Sequence, residues 1–483
     1  MENLTEKAVF LLHAVQYEQQ QDPADGKAGT MEQETQKKRI AVHNLGCKVN
    51  GYEMDVMVQE LLADGYSLVP FEEEADIYII NTCTVTNIAD RKSRQMLHRA
   101  KKCNPDAVVV AVGCYVETDE KRIEEDPAID LAIGNNRKNR IREILGTYLD
   151  LKEKGTEQVP GKTLGGLTQT DLTHSPEYES MTLLEPGHTR AYIKIQDGCN
   201  QFCSYCIIPY ARGRIRSRDP EDVIAEIRGL AERGVREVVL TGIHVSSYGK
   251  DRGEEPESAL LELMTRIQML RGIERIRLSS MEPRIMTEGF VRGIAGLSKV
   301  CPHFHLSLQS GCDTTLKRMN RKYTTAEYLE SVERLRGAFT DPAITTDVIA
   351  GFPGETQEEF EQTLEFLKKV GFYEIHVFRY SVRKGTVAAG MAGQVPEPVK
   401  AERSDRLLEL TAQQAKAYRE RFVGEREELL LEEEAVIDGV RYMTGHTMRY
   451  VQGYIRTDEP AGTLVSGRVT GLAGEAGSGI YLE

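Results

Sequence analysis

Three cysteines stand close together in the segment Cys199-Asn-Gln-Phe-Cys203-Ser-Tyr-Cys206. Three thiolates this near in sequence can bind one face of an iron-sulfur cluster, because soft sulfur ligands select iron-sulfur clusters or zinc over hard cations. Since the segment offers only three ligands, one iron would stay open for chemistry, as the metal does in three-ligand catalytic zinc sites. We predict an iron-sulfur redox enzyme. A structural zinc site, or cysteines that merely fill a core, is the alternative.

Three further cysteines are far apart in sequence, but each directly follows an apolar stretch typical of a strand. They are Cys47 after RIAVHNLG, Cys83 after ADIYIINT and Cys114 after AVVVAVG. In an open parallel sheet the carboxyl ends of the strands face a shared crevice, so we expect a second site of three thiolates there. Taken singly, each could be an inert buried thiol. The remaining cysteines lack this regularity and are assigned no ligand role: Cys103, Cys301 and Cys312.

The elements that must position these cysteines predict an α/β protein. From Arg39 onward, apolar strands alternate with helices, which indicates a parallel sheet covered on both faces. After residue 188, six strand and helix units indicate a partial (β/α)6 barrel, whose functional residues belong at the carboxyl ends of its strands. Short strand-like pieces with glycine-bearing turns near the C-terminus predict a small antiparallel β-barrel.

These changes in pattern divide the 483 residues into five segments. We predict a polar, disordered leader, an N-terminal α/β domain, a linker rich in Gly, Thr and Pro, the partial barrel, and the small β-barrel. Their bounds are 1–37, 38–150, 151–188, 189–420 and 421–483.

Composition favours a globular protein of a reducing compartment. The chain is 40% hydrophobic and 28% charged, and no run approaches the roughly 20 apolar residues of a membrane span. Without a recognisable secretory signal, the expected location is the cytosol, where thiols stay reduced. The net charge of -14 opposes attraction to a polyanion. A nucleic-acid substrate would therefore need a local basic surface.

The segment CNQFCSYC, with Tyr205 before its last cysteine, resembles the cluster loop of radical S-adenosylmethionine (SAM) enzymes. Together with IIPYARGRIRSR, the three leading cysteines and the C-terminal β-module, it is similar to the methylthiotransferase family from about Arg39 onward. The stretches LGCKVN, INTCTVT, GCY, DGCNQFCSYCIIPYARG and LTGIH most resemble the branch that methylthiolates N6-threonylcarbamoyladenosine (t6A) in tRNA. Branches acting on isopentenyladenosine in tRNA or on a ribosomal protein aspartate match less well.

The resemblance implies two [4Fe-4S] clusters and SAM. One cluster would bind SAM and pass it one electron, which cleaves it to methionine and a 5'-deoxyadenosyl radical. An auxiliary cluster would carry or deliver sulfur. A second SAM would supply the methyl group. The implied ligands are Cys199, Cys203 and Cys206 for the first and Cys47, Cys83 and Cys114 for the second.

The implied reaction places a methylthio group on C2 of t6A at adenosine 37 of tRNA, giving ms2t6A. Radical chemistry suits this target because the C2 hydrogen of adenine is not acidic, so acid-base catalysis does not remove it. An electron donor and a sulfur donor are implied, without a sequence signal for either. A non-enzymatic alternative is an iron-sulfur protein that binds RNA or senses redox state.

Further residues are candidates for cofactor or RNA contact. Those expected to contact SAM, by place at strand ends and by family likeness, are Tyr205, Thr241, Gly242, Ser307, Gln309 and Asp347. Each could instead be ordinary loop structure.

An extended segment would direct alternating arginines to one face suited to phosphate, and these are Arg212, Arg214, Arg216 and Arg218. A solvated surface stripe is the alternative. The C-terminal module resembles the RNA-binding TRAM domain, with Arg449 and Tyr450 placed for phosphate and stacking contacts.

Overall fold

The computed structural model describes residues 37–154, 161–172, 174, 177–474 and 477–483. They form two compact units. The first comprises the described residues up to His188 together with Tyr210–Arg214, and the second comprises Thr189–Pro209 and Ile215–Glu483. The predicted leader lies outside the described residues except for Lys37. Within the described part of the chain, every helix is too short or too polar to cross a membrane.

The first unit is built on a five-stranded parallel sheet. Its strands are β1 (Arg39–Asn44), β2 (Ser67–Leu68), β3 (Ile77–Thr82), β4 (Val108–Gly113) and β5 (Leu131–Ile133). Its helices are α1 (Lys48–Ala63), α2 (Asn87–Cys103), α3 (Cys114–Thr118), α4 (Glu120–Glu125) and α5 (Ile141–Glu153). The strand order is β2-β1-β3-β4-β5. β3 and β4 are buried along their whole length, as expected of strands covered on both faces. The carboxyl ends of β1, β3 and β4 are therefore neighbours.

The segment 151–188, predicted as a linker, packs into this first unit. Its first three residues complete α5, and Leu164–Gly166 form a 3-10 turn. Met181 is buried, and its carbonyl accepts a hydrogen bond from Tyr52 Oη at 2.6 Å. Contacts of an irregular segment leave no period in the sequence, so its packing against α1 could not be predicted.

The second unit contains the predicted partial barrel. Its strands are β6 (Ala191–Asp197), β7 (Arg216–Ser217), β8 (Glu237–Gly242), β9 (Arg275–Leu278), β10 (His303–His305), β11 (Ala343–Ala350) and β12 (Glu374–Arg379). A short helix α6 (Ile208–Ala211) begins in this unit and ends in the segment assigned to the first unit. The larger helices of the second unit are α7 (Pro220–Glu232), α8 (Pro256–Gln268), α9 (Glu288–Ala295), α10 (Asp313–Arg318), α11 (Thr325–Ala338), α12 (Gln357–Val370) and α13 (Glu397–Glu420).

Six parallel strands form this barrel in the order β6-β8-β9 and β10-β11-β12, and single bridges such as Met281 to Leu306 join the two groups. β7 is a two-residue antiparallel partner of β6 that the sequence did not predict. Helix starts agree with local chemistry: Thr356 and Glu359 form a capping box that satisfies the first backbone N–H groups of α12.

The chain ends in a closed five-stranded barrel. Its strands are β13 (Arg426–Ile437), β14 (Val440–His446), β15 (Gln452–Ile455), β16 (Leu464–Ala473) and β17 (Gly479–Leu482), in the order β13-β14-β15-β17-β16. The barrel was predicted as antiparallel. One pair, β15 with β17, is parallel. Its core continues into the larger barrel: Leu429 and Ile480 belong to the same buried cluster as Tyr418 of α13.

Candidate active site

The three leading cysteines lie at the carboxyl ends of three neighbouring strands. Cys47 precedes α1 as its N-cap residue, Cys83 follows β3, and Cys114 begins α3 directly after β4. Burial and, after it, the nearby Cys114 and Cys47 raise the pKa of the Cys83 thiol to about 12, while the Arg212 guanidinium opposes that increase. Because β1, β3 and β4 are adjacent and parallel, their carboxyl ends bring these distant cysteines to one edge of the sheet. We call them the first trio.

The turns that carry Cys47 and Cys83 are held by one buried amide. Asn50 Nδ2 donates to Leu45 O at 2.7 Å and to Thr82 O at 3.1 Å, and these carbonyls flank the turns after β1 and β3. Between them, Gly46 has a φ of 111°, and a Cβ there would lie 3.2 Å from Cys83 Sγ. Glycine is therefore required on both conformational and steric grounds.

A buried ion-pair network supports this amide. Arg212 is fully buried and donates from Nη1 to Glu53 Oε1 at 2.8 Å and from Nη2 to Asn50 Oδ1 at 2.5 Å. Lys138 Nζ donates to the same Glu53 carboxylate. Two cations beside one carboxylate leave positive charge near the first trio, which partly opposes the effect of burial on its thiols.

The second trio, Cys199, Cys203 and Cys206, follows β6. Burial and, after it, the neighbouring Cys203 raise the pKa of the Cys206 thiol to about 12. Cys206 N donates to Cys203 O at 2.9 Å, and Gln201 N lies 3.4 Å from Cys199 Sγ as a donor. Phe202 has a φ of 49°, a conformation that bends the loop between the first two cysteines.

Both trios fit a multi-iron cluster better than a single zinc ion. Zinc-thiolate bonds of about 2.3 Å would hold tetrahedral sulfurs about 3.8 Å apart. Within the described part of the chain, neither trio has all three sulfurs within 4.8 Å of one another. Thiolates bound to different irons of a cubane are more widely separated than this, so both donor sets are compatible with [4Fe-4S] clusters.

Sequence reasoning missed the residues that hold the second trio. Arg321 donates from Nη1 to Cys203 Sγ at 3.3 Å and from Nη2 to Ser307 O at 3.2 Å. Asn320 Nδ2 donates to Phe202 O at 2.9 Å. Both lie in MNRKYT, just beyond α10. The available signal was a pair of strong side-chain donors directly after a short helix, which is too common to identify a site alone.

The candidates for SAM contact lie at or near the carboxyl ends of barrel strands. Thr241 is 2% exposed near the end of β8. A Cβ at the next residue, Gly242, would lie 2.9 Å from Gln196 O, so close packing accounts for that glycine. Tyr205 packs edge-on against Phe352, with ring centroids 6.3 Å apart.

The other three candidates cluster around β10 and β11. Ser307 lies just beyond β10, and its carbonyl accepts the bond from Arg321. Gln309 has a φ of 73°, and its backbone N–H donates to Asp347 O at 2.8 Å. The Asp347 carboxylate lies between two imidazoles, of His305 and His376. The predicted interaction of Asp347 with SAM does not account for those imidazoles.

The predicted phosphate contacts of the alternating arginines are corrected by the structure. Arg212 is buried in the Glu53 network, Arg216 is 3% exposed with Asp197 Oδ2 at 3.5 Å, and Arg218 is buried against Glu226. Arg214 is partly buried. The guanidiniums of Arg212, Arg216 and Arg218 neutralise buried carboxylates, a partnership that an alternating pattern in sequence does not reveal, and a phosphate contact of Arg214 stays a prediction.

The predicted RNA contacts of the C-terminal barrel are also engaged internally. Arg449 donates from Nη1 to Glu427 Oε1 at 2.9 Å and from Nε to Asp341 O at 3.0 Å. Tyr450, with a φ of 63°, stacks on His446 at a centroid distance of 4.5 Å. Of these contacts, the one between Arg449 and Asp341 joins the two barrels of the second unit.

Comparison with known proteins agrees with this geometry. Residues 193–367 match the radical SAM superfamily, and residues 39–134 match the uncharacterized protein family UPF0004. A solved structure of the radical SAM methyltransferase TsrM from Kitasatospora setae, with tryptophan and a SAM analogue bound, is similar in fold. Its TM-score is 0.51 at 17% identity, over 71% of this chain and 73% of that one.

Relatives in sequence are closer. The chain is 40% identical over 433 residues to the threonylcarbamoyladenosine tRNA methylthiotransferase MtaB of Bacillus subtilis, over 89% of this chain and 93% of the relative. It is 36% identical over 400 residues to the tRNA-2-methylthio-N(6)-dimethylallyladenosine synthase of Syntrophus aciditrophicus, over 82% of this chain and 84% of the relative. Identity at this level over nearly full length, together with two cysteine trios at strand ends, shows that the chain belongs to the radical SAM methylthiotransferase family.

Proposed function

We propose that this protein methylthiolates C2 of t6A at adenosine 37 of tRNA, giving ms2t6A. The observation that carries the proposal is the 40% identity to the Bacillus subtilis MtaB over 93% of that enzyme. A second MtaB, from Aquifex aeolicus, is 39% identical over 397 residues, 82% of this chain and 93% of the relative. The two convergent cysteine trios support a chemistry that needs two clusters.

The cofactors of this family are SAM and [4Fe-4S] clusters. The second trio, Cys199, Cys203 and Cys206, would hold the cluster that binds SAM, and the first trio, Cys47, Cys83 and Cys114, the auxiliary cluster. When bound, this set supplies the radical chemistry that an unactivated C2–H bond of adenine requires.

The protein's own contribution at the second trio is charge and shape. The Arg321 guanidinium donates to Cys203 Sγ inside a partly buried site, where a charge-assisted hydrogen bond to a thiolate is stronger than in water. The amide of Asn320 fixes the Phe202 carbonyl and so the bend between the first two cysteines. Preorganised donors of this kind need no rearrangement when a cluster binds.

The first trio receives a corresponding support. Arg212 places positive charge near Cys83 and, through Asn50, holds the turns after β1 and β3. Because Arg212 has no exposed surface, its role is positioning the trio and not binding phosphate. For the SAM site we propose contacts from five of the predicted residues, which lie at strand ends or next to the second trio: Tyr205, Thr241, Gly242, Ser307 and Gln309.

The substrate is tested by separating the two candidate nucleosides. Reconstituted enzyme, SAM and dithionite would be incubated with tRNA carrying t6A or with tRNA carrying isopentenyladenosine, and the digested nucleosides would be measured by mass spectrometry. We expect a methylthio group on t6A only. Because the Syntrophus aciditrophicus relative is 36% identical, the isopentenyl substrate is the second candidate. Product from that tRNA alone would refute the t6A assignment.

The enzymatic class is tested separately by SAM cleavage. Wild type should form 5'-deoxyadenosine under dithionite, and Cys203→Ala should not. Cys103→Ala is the matched control, because Cys103 packs beside an apolar cluster at the end of α2, outside both trios. Absence of 5'-deoxyadenosine from wild type would favour an iron-sulfur protein that binds RNA or senses redox state. The physiological electron donor and sulfur donor are replaced in this assay by chemical reductant and by the reconstituted clusters.

A further inference from the structure

A cluster of two histidines and one aspartate lies on three adjacent strands of the partial barrel. His305 ends β10, Asp347 lies within β11, and His376 lies within β12. β11 pairs in parallel with both other strands, so that Thr345 is opposite His305 and Asp347 is opposite His376. Residues paired across strands share a face, and Thr345 and Asp347 are two residues apart. All four side chains therefore lie on one face of the sheet.

The separations within this cluster match a single coordinated ion. Asp347 Oδ2 lies 3.1 Å from His305 Nε2, and Asp347 Oδ1 lies 3.3 Å from His376 Nδ1. One ligand atom from each residue falls within a common span of 4.8 Å. A tetrahedral ion with bonds of about 2.0–2.1 Å holds its ligands about 3.3 Å apart. In contrast to the two cysteine trios, this set has the size of a one-ion site.

The His305 ring nitrogen is an independent indication. His305 is 7% exposed, and its Nε2 lies 3.1 Å from Asp347 Oδ2 without the alignment of a good hydrogen bond. Two ligands of one ion lie side by side at such a distance, whereas a donor points at its acceptor. A metal ion between the two groups satisfies both the nitrogen and the carboxylate.

A further contact orients this imidazole. His305 Nδ1 lies 3.0 Å from Thr345 Oγ1, which fixes the ring and leaves Nε2 directed into the cluster. A hydrogen bond from the second ring nitrogen to an oxygen is the usual support of a metal-binding histidine. The site is also accessible, because the Asp347 and His376 side chains are 24% and 50% exposed.

We propose that His305, Asp347 and His376 bind one divalent transition-metal ion of the zinc type, in addition to the iron-sulfur clusters. Two imidazoles and one carboxylate are borderline ligands suited to zinc and its neighbours, and three protein ligands leave a position open for an exogenous group. This assignment replaces the predicted SAM contact of Asp347. It stands on the cluster geometry alone and is independent of which tRNA is the substrate.

The test is zinc uptake by the holoenzyme with both clusters in place. Protein holding about eight irons per chain, four for each cluster, would be treated anaerobically with zinc chloride and desalted. Zinc and iron would then be counted by elemental mass spectrometry. We expect about one zinc per wild-type chain with iron unchanged. Zinc X-ray absorption should show nitrogen and oxygen at about 2.0–2.1 Å and no sulfur at about 2.3 Å.

Variants separate this site from adventitious binding. Asp347→Asn preserves shape, and His376→Gln changes a half-exposed side chain, so both should fold; each should bind zinc at least tenfold more weakly. Thr345→Val should weaken zinc affinity about tenfold through loss of the His305 support. His98→Gln is the control, because His98 pairs with a single carboxylate, of Asp126, at 3.1 Å. The proposal would be overturned if wild type bound no zinc, or if sulfur appeared among the zinc ligands. It would also be overturned if Asp347→Asn retained as much zinc as wild type.

Discussion

Glu237 connects the two barrels of the second unit, and its replacement by glutamine should loosen them. The carboxylate is fully buried at the start of β8, where Arg277 Nε donates to it at 2.8 Å. Arg275 Nη1 lies 3.6 Å from it. The same two arginines donate to carbonyls of the C-terminal barrel, Arg275 to His446 O at 2.9 Å and Arg277 to Met448 O at 3.0 Å. Glu237 therefore holds the donors that join the barrels.

The size of the destabilisation follows from the negative charge that Glu237 retains in the folded protein. Burial raises its pKa, but the ion pairs with Arg277, Arg190 and Arg275 outweigh burial and lower it from 4.5 to about 2. A decrease of about 2.5 in pKa corresponds to about 3 kcal/mol of folding free energy at neutral pH. Removing one partner of a buried pair typically costs 3–5 kcal/mol. We expect Glu237→Gln to destabilise the second unit by about 3 kcal/mol or more.

The pH dependence of this contribution has a definite sign. Because the folded-state pKa is depressed, the stabilisation is complete above pH about 4.5 and is lost as pH falls toward 2. The difference in thermal midpoint between wild type and Glu237→Gln should therefore be largest near neutral pH and narrow below pH 4.5. Circular dichroism at a series of pH values measures this difference.

Hydrogen exchange with peptide resolution measures the local effect directly. A loss of about 3 kcal/mol should speed exchange in β9 and β14 about a hundredfold at neutral pH, while β3 and β4 of the first unit stay protected. Glu361→Gln is the matched control, because Glu361 pairs with Arg406 at 2.7 Å on an exposed surface. This reasoning would be refuted if Glu237→Gln kept the same protection from hydrogen exchange as wild type. Equal loss of protection in both units would refute it as well.

Three further substitutions test the sites. Arg321→Gln removes a donor to Cys203 Sγ and should lower the reduction potential of the cluster at the second trio. A redox titration followed by electron paramagnetic resonance measures this potential, and an unchanged value would contradict the contact. Cys83→Ala should lose about half of the iron in elemental analysis of anaerobic protein, and full retention would exclude a cluster at the first trio. Gly242→Ala would place a Cβ 2.9 Å from the backbone oxygen of Gln196 and should lower the free energy of unfolding by about 1–3 kcal/mol. The thermal midpoint should fall accordingly, and an unaltered midpoint would show that the strands can separate there.

Sequence alone determined the features that depend on local spacing. The second trio was predicted because its three cysteines lie within one loop, and the first trio because strands of a parallel sheet end on a common edge. Alternating apolar runs and helices predicted the parallel sheet, the six-stranded partial barrel and the closed C-terminal barrel. Each of these follows from short-range periodicity, which the chain carries in every few residues.

Tertiary structure decided which charges are used internally. Arg212 was predicted at a phosphate surface, but its partner Glu53 lies 159 residues away in sequence, and only the fold brings the two together in a buried site. The same holds for Arg321 beside Cys203 and for the histidines on either side of Asp347, whose strands are neighbours although they are separated by long helical connections. A charged side chain shows its type in the sequence, whereas its burial and its partner are set by long-range packing, which has no local period to predict it.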